Sequence, residues 1–267
     1  MHRFRPVSTI LLVVTTSLLF HSVTFATEVC AHRGDVAVAP ENTIPAIVSA
    51  VEKKVGMIEF DVLLSEDGRL VIMHDATVNR TTNGKGRVDR LTFAELRALD
   101  AGAWFNPKFK GLQIPTLQEV LKVIPPHIQC NVHLKNSPGV ASAAAKVIKK
   151  LDRLDQCFLA CTIEQAREAR DAVSEIRICN MSRQGGDRNA YIQLTIDEEC
   201  EFIQLHRRNG TENLAASVKT LHDNGITVNY FGTEDPEIIA ELAEAGVDFI
   251  LTDDVSLCTK TLEEFNP

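Results

Sequence analysis

Basic residues are in the minority in this chain: 28 lysines and arginines stand against 36 aspartates and glutamates, a formal charge of −8. A chain of that sign lacks the surplus of cations that phosphate neutralisation requires, so nucleic acid is excluded as a partner. None of the seven cysteines forms a Cys-x-x-Cys pair, which argues against a zinc ribbon. Cys30, Cys130, Cys157 and Cys179 sit in apolar, strand-like runs and read as small buried hydrophobes. An exported chain could still form one or two disulfides, and the odd count leaves at least one thiol free. Linkers, repeats and low-complexity stretches are missing as well, so nothing divides the chain into two domains. After the first 26 residues no apolar run is long enough to cross a bilayer.

Those first residues have the grammar of a secretory signal. Arg3 and Arg5 give a basic start, residues 10–20 are apolar, and Thr24-Phe25-Ala26 offers small residues for cleavage after Ala26. The sequence therefore predicts a signal peptide over residues 1–26, one domain over residues 27–267, and a secreted or periplasmic protein without stable membrane insertion. Cys30 lacks the leucine and small residues that a lipidation site would place before it. Loss of the two leader arginines takes the mature chain to −10, which suits a site built around a divalent cation.

Strand-like and helix-like runs then alternate. Strands are expected at residues 28–32, 57–63, 69–74, 128–134, 157–161, 176–179, 201–205, 226–230 and 248–252. Helices are expected at 43–54, 93–99, 117–123, 140–154, 164–173, 211–224 and 236–245. Alternation of this kind, over a length near that of a (β/α)₈ unit, predicts an α/β TIM barrel. The long polar stretch between Asp75 and Gly111 reads as a small insertion between the third and fourth strands, over one barrel mouth. Thr92-Phe93-Ala94-Glu95 reads as a capping box, and Gly225 and Gly246 as left-handed helix ends. One link is too short for a parallel crossover. Only Ser65-Glu66-Asp67-Gly68 separates two strands, and Asp-Gly signals a two-residue hairpin. With that loop, residues whose numbers sum to 135 oppose each other, and Asp61 faces His74.

Polar clusters interrupt the apolar runs. Glu59 and Asp61 lie two apart on a strand and share a face. Two carboxylates aimed at a buried interior need a cation between them, and oxygen ligands suit Mg²⁺ or Ca²⁺. His32 ends the first strand, where a barrel carries its active site, and Arg33 offers a fork of donors to a phosphate. His32 and His74 together could supply an acid and a base near neutral pH. Pro40-Glu41-Asn42-Thr43 reads as a helix start, with Glu41 or Asn42 near a metal or bracing the histidines. His133 and Lys135 share a strand face. Lys135 could neutralise phosphate, and His133 could ligate metal.

In order, Ala31-His32-Arg33-Gly34, Pro40-Glu41-Asn42-Thr43, Glu59-Phe60-Asp61, His74-Asp75, Arg80-Thr81-Thr82-Asn83-Gly84, Leu99-Asp100-Ala101-Gly102 and Ile114-Pro115-Thr116-Leu117 resemble the glycerophosphodiester phosphodiesterase family. The resemblance implies a TIM barrel, a bound divalent cation, and hydrolysis of glycerophosphodiesters to glycerol 3-phosphate and an alcohol. It implies His32 and His74 as catalytic residues and Glu59 and Asp61 as metal ligands. Two departures stand out. The family carries Asn-x-Glu-x-Lys on the later strand, its glutamate being the third ligand. Here His133 holds that place, which leans toward Mn²⁺ or Zn²⁺. A late strand that commonly holds tryptophan and threonine reads Asn229-Tyr230-Phe231, with Tyr230 expected beside the substrate. The nucleophile is water or the glycerol 2-hydroxyl. The alternatives are a binding relative impaired by the His133 exchange, and an enzyme for a lysophospholipid or another exported phosphodiester.

Overall fold

A computed structural model describes residues 26–265 apart from residue 136. The leader expected over residues 1–26 lies outside the described residues, Ala26 excepted. The strands are β1 (Glu28–Ala31), β2 (Met57–Leu64), β3 (Leu70–Ile72), β4 (Gln129–Leu134), β5 (Cys157–Cys161), β6 (Arg177–Asn180), β7 (Phe202–His206), β8 (Thr227–Phe231) and β9 (Phe249–Thr252). The helices are α1 (Ile44–Glu52), α2 (Phe93–Arg97), α3 (Leu117–Val123), α4 (Val140–Lys150), α5 (Ile163–Ala172), α6 (Arg188–Asp197), α7 (Leu214–Asp223), α8 (Pro236–Glu244) and α9 (Val255–Phe265).

Eight parallel strands close into a barrel. The order runs β1-β9-β8-β7-β6-β5-β4-β2, and β1 pairs again with β2. A helix follows each barrel strand, α3 serving β2 after a long detour. β3 stands outside the ring, antiparallel to β2. The segment from β3 to α3 forms the expected insertion. It holds α2 and a small apolar cluster in which Leu96 and Ile114 pack on Val71 and Met73.

Local chemistry explains most element ends. Capping boxes open α2 at Thr92 with Glu95, α3 at Thr116 with Glu119, and α5 at Thr162 with Gln165. Gly225 and Gly246 take positive φ at the ends of α7 and α8, a conformation only glycine adopts without strain. Parallel strands covered on both faces are apolar throughout; all five residues of β5 are buried. Outward side chains such as Phe60, Leu159 and Val228 form the main core against the helices. Inward side chains Cys30, Met57, Phe158, Cys179, Phe202 and Leu251 fill the barrel itself. All seven cysteines are buried free thiols, and burial pushes that of Cys200 up to about 11.

The β2–β3 hairpin corrects the expected register. Val62 faces Ile72 and Leu64 faces Leu70, so paired numbers sum to 134 rather than 135. The loop has three residues, not two. Ser65 and Arg69 are bonded across it through the Ser65 N–H and the Arg69 carbonyl, and Gly68 sits at φ 76. That is the left-handed bulge of a three-residue hairpin. Asp61 therefore receives the Met73 N–H on its carbonyl, and His74 lies two residues beyond the strand, where the chain turns away.

The rings of Phe158 and Phe202 stack 3.9 Å apart inside the barrel. Phe158→Ala should lower unfolding stability by about 3–5 kcal/mol, because surrounding strands cannot collapse into the void. Urea denaturation should show this as a fall in midpoint at unchanged slope.

Candidate active site

Because the eight strands are parallel, their C-terminal ends meet at one mouth. Four strands deliver the chemistry there. β1 runs into His32 and Arg33, β2 carries Glu59 and Asp61, β4 carries His133 and runs into Lys135, and β9 runs into Asp253. Register sets Asp61 beside His133 and Glu59 beside Asn131, so all four side chains share the inner face.

Glu59 and Asp61 are almost fully buried, at 1% and 0% exposure. Each commits one oxygen to protein donors. Glu59 Oε2 accepts the Arg33 N–H at 3.0 Å. Asp61 Oδ2 accepts from Asn42 Nδ2 at 2.8 Å, with Arg33 Nε at 3.4 Å. The other oxygens turn to a common point. His133 Nδ1 lies 3.4 Å from both Glu59 Oε1 and Asp61 Oδ1, and Lys135 Nζ lies 2.7 Å from Asp61 Oδ1. Burial works against the Asp61 charge, yet the His133 and Lys135 hydrogen bonds and charges hold its carboxyl well below the usual range. The same carboxylates raise His133 against the opposing effect of burial.

Glu59, Asp61 and His133 are the one group among the described residues whose ligand atoms could converge on a cation, all lying within 4.8 Å of one another. Two hard oxygens and one imidazole nitrogen fit a divalent ion. His133 thus occupies the position where the family resemblance places a glutamate, and it points its Nδ1 at the two carboxylates.

The two expected catalytic histidines are built alike. His32 Nδ1 is 2.6 Å from Asp253 Oδ1, and His74 Nδ1 is 2.7 Å from Asp75 Oδ1. A carboxylate on Nδ1 fixes the tautomer with that nitrogen protonated and leaves Nε2 for chemistry. His32 lines a cleft with Arg33, Glu41, Phe231 and Asp253, whereas His74 lines an adjoining crevice with Glu41, Asn42 and Thr81. Glu41 is the wall they share. It binds Arg33 Nη1 at 3.0 Å, and Arg80 at 2.7 and 2.8 Å. Arg80 also holds Asp75, so one ionic chain runs from His74 through Asp75, Arg80, Glu41 and Arg33 to Asp61. Hence Glu41 orients arginines, and no described residue engages Arg33 Nη2.

Tyr230 does not reach the mouth. It is 1% exposed and packs in the main core outside the barrel, on the same face of β8 as Val228. Strand alternation sends Phe231 inward instead, its ring 4.8 Å from that of His32. Sequence reasoning also missed Asp253, although the closure of the barrel could have found it. β9 lies beside β1 with Thr252 opposite Ala31, so the next residues, 253 and 32, are neighbours. Asn42 sits at φ 58, and its amide both donates to the Asp61 carboxylate and accepts the Asp61 N–H at 3.1 Å.

Comparison with known proteins agrees with this fold. The sequence model of the glycerophosphoryl diester phosphodiesterase family matches residues 32–257. A glycerophosphodiester phosphodiesterase of Caldanaerobacter subterraneus subsp. tengcongensis is 34% identical over 236 residues, covering 85% of this chain and 94% of its own. The crystal structure of a glycerophosphodiester phosphodiesterase from Agrobacterium tumefaciens superposes with a TM-score of 0.76 at 25% identity, covering 88% of this chain and 99% of its own. A phosphodiesterase of Oleispira antarctica, solved with the product sn-glycerol-3-phosphate, gives a TM-score of 0.75 at 25% identity, covering 89% and 97%.

Hydrogen bonds from Arg80, reinforced by His74, outweigh partial burial and lower the Asp75 carboxyl to about 2. A depressed carboxylate contributes stability above its unfolded value of about 3.9, and the contribution is lost as pH falls through the folded value. NMR titration of the Asp75 carboxyl carbon should give a midpoint near 2. Arg80→Ala should return it toward about 3.9.

Proposed function

The chain belongs to the glycerophosphoryl diester phosphodiesterase family, and from that premise we propose that it hydrolyses glycerophosphodiesters to glycerol 3-phosphate and an alcohol by metal-assisted, two-histidine catalysis. It is a glycerophosphodiester phosphodiesterase by kinship; the metal, the histidine pair and the products are our reading. The observation that carries it is the meeting of Glu59, Asp61, His133 and Lys135 at one mouth with two aspartate-braced imidazoles.

Glu59, Asp61 and His133 would hold the cation. Once bound, a divalent cation supplies charge neutralisation and polarisation of a phosphoryl oxygen. Lys135 and Arg33 stand beside that point and stabilise the negative charge that builds on the equatorial oxygens. One imidazole Nε2 takes the proton from the attacking hydroxyl, of water or of the glycerol 2-position. As the new P–O bond forms, the bond to the alcohol breaks, and the other imidazole protonates the departing oxygen. With water this gives glycerol 3-phosphate directly; with the 2-hydroxyl it gives a cyclic phosphate, which water then opens to glycerol 3-phosphate as the two imidazoles exchange roles. Asp253 and Asp75 hold those imidazoles in the required tautomer. Phe231 closes one side of the cleft with an apolar wall.

We propose further that the protein works outside the cytoplasm. The basic start, the apolar run and the small residues before Thr27 support export.

His32→Ala and His74→Ala should each cut turnover of glycerophosphocholine by about 10² to 10⁴ with folding intact. Near-normal turnover in either variant removes the acid–base assignment. His133→Glu should shift calorimetric metal affinity from Zn²⁺ and Mn²⁺ toward Mg²⁺ and Ca²⁺, as an oxygen ligand replaces nitrogen. An unchanged order of affinities would take His133 out of the ligand set.

A further inference from the structure

The insertion differs in charge and surface from the barrel that bears it. Residues 75–113 hold seven basic and four acidic side chains, a net +3 within a chain of −8. Three of those cations are spent inside the fold or beside their own acids: Arg80 on Asp75 and Glu41, Arg87 on Asp89, and Arg97 on Glu119. Lys85, Arg90, Lys108 and Lys110 are exposed and form no ion pair among the described residues.

The same segment carries the chain's one tryptophan at its surface. Trp104 is 39% exposed, one of only three large hydrophobic residues so exposed among those described. Its indole N–H already donates to the Ala101 carbonyl at 2.9 Å, so what faces outward is apolar ring. Phe105 packs edge-on against it and Phe109 edge-on against Phe105, each pair with centroids 5.8 Å apart, and the Lys108 ammonium lies 4.7 Å from the centre of the Phe109 ring. The turn that presents them is tied together at Asp100. The Asp100 carboxylate accepts the N–H groups of Gly102, Ala103 and Gly111 at 2.8–2.9 Å. A β-carbon on Gly102 would meet the Phe109 carbonyl oxygen at 2.0 Å, so only glycine permits this close approach.

We propose that this tip docks on an anionic lipid bilayer surface. An indole with its donor satisfied, flanked by the exposed Lys108 and Lys110, matches the boundary between acyl chains and acidic headgroups. The charge division also fixes orientation. The acidic barrel is repelled by such a surface, and only the basic insertion approaches it. The insertion springs from His74, and its Ala101 lines the same crevice as His74 and Glu41. Val38, next in sequence to the Ala37 that lines the His32 cleft, is another of the three exposed hydrophobics, at 43%. Docking thus turns the catalytic mouth toward the headgroups.

The test uses the purified full-length mature protein with vesicles of phosphatidylcholine, alone or with about one-third phosphatidylglycerol. It should co-sediment with the anionic vesicles only, and less so at high salt. Emission from Trp104, which no other indole obscures, should shift to the blue. Trp104→Ser should lose binding, and Lys108→Ser and Lys110→Ser should weaken it by about fivefold each. These variants should turn over dissolved glycerophosphocholine as before, since none touches the mouth. Equal binding to both vesicle types, no binding, or a blue shift with protein concentration alone would overturn the proposal, the last pointing to self-association. Vesicle binding is read without turnover, so its failure is distinguishable from a failure of the enzymatic reading.

Discussion

Two carboxylates inside the barrel, Glu59 and Asp61, set the terms for everything around them. Removing an ion from water costs several kcal/mol even after the protein relaxes. One charge-assisted hydrogen bond returns about 1.5–3 kcal/mol. One partner is therefore insufficient for each acid, and the structure provides several. Asp61 alone draws on Arg33 and Asn42 from the loop between β1 and α1, on His133 from β4 and on Lys135 just beyond it. The folding of those two regions is tied to this charge. The same arrangement, with one oxygen per acid left facing a common point, is what makes the place receptive to a cation.

Closure of the barrel supplies the second constraint. It brings residues 221 positions apart into a 2.6 Å contact between His32 and Asp253. Asp253 is held in turn, its N–H donating to Glu234 Oε1 at 2.8 Å. An aspartate behind the imidazole also sits at His74, but there it is the next residue in sequence, and Arg80 rather than backbone secures it. Two histidines of matched chemistry thus have supports of different origin, one from topology and one from local sequence.

Most of the architecture was legible because the barrel obeys local rules. Apolar runs located all nine strands to within a residue or two, and apolar periodicity, the Thr92 capping box and two glycine ends located seven of the nine helices. α9 (Val255–Phe265) was missed, and so was α6, because Gly185-Gly186 precedes it and its few buried residues, Tyr191, Ile192 and Thr195, leave no clear stripe. The site was legible where it depends on side-chain type and strand alternation, as for Glu59, Asp61, His133 and Lys135. It was illegible where a single residue of register decides. An Asp-Gly pair admits a two- or a three-residue loop, and the difference moved His74 off the strand. Likewise the choice of Tyr230 over Phe231 turned on which face of β8 points inward, which composition cannot tell because both rings suit a wall. Asp253 required knowing that the last strand lies beside the first.

The insertion follows a different logic from the barrel. Nothing in barrel packing calls for a basic, aromatic-tipped loop. A cover over β3 needs only the apolar cluster of Leu96, Ile114 and their neighbours. Yet the Asp100 hub and the close approach at Gly102 hold Trp104 in one outward pose, and ordering a turn costs backbone entropy that an idle loop would not have to meet. Preformed geometry lowers the cost of later association. The barrel concentrates negative charge where a cation is needed, and the insertion concentrates positive charge and apolar surface one crevice away. Keeping them on separate segments stops the lysines from competing for the buried carboxylates, which Lys135, Arg33 and His133 already occupy.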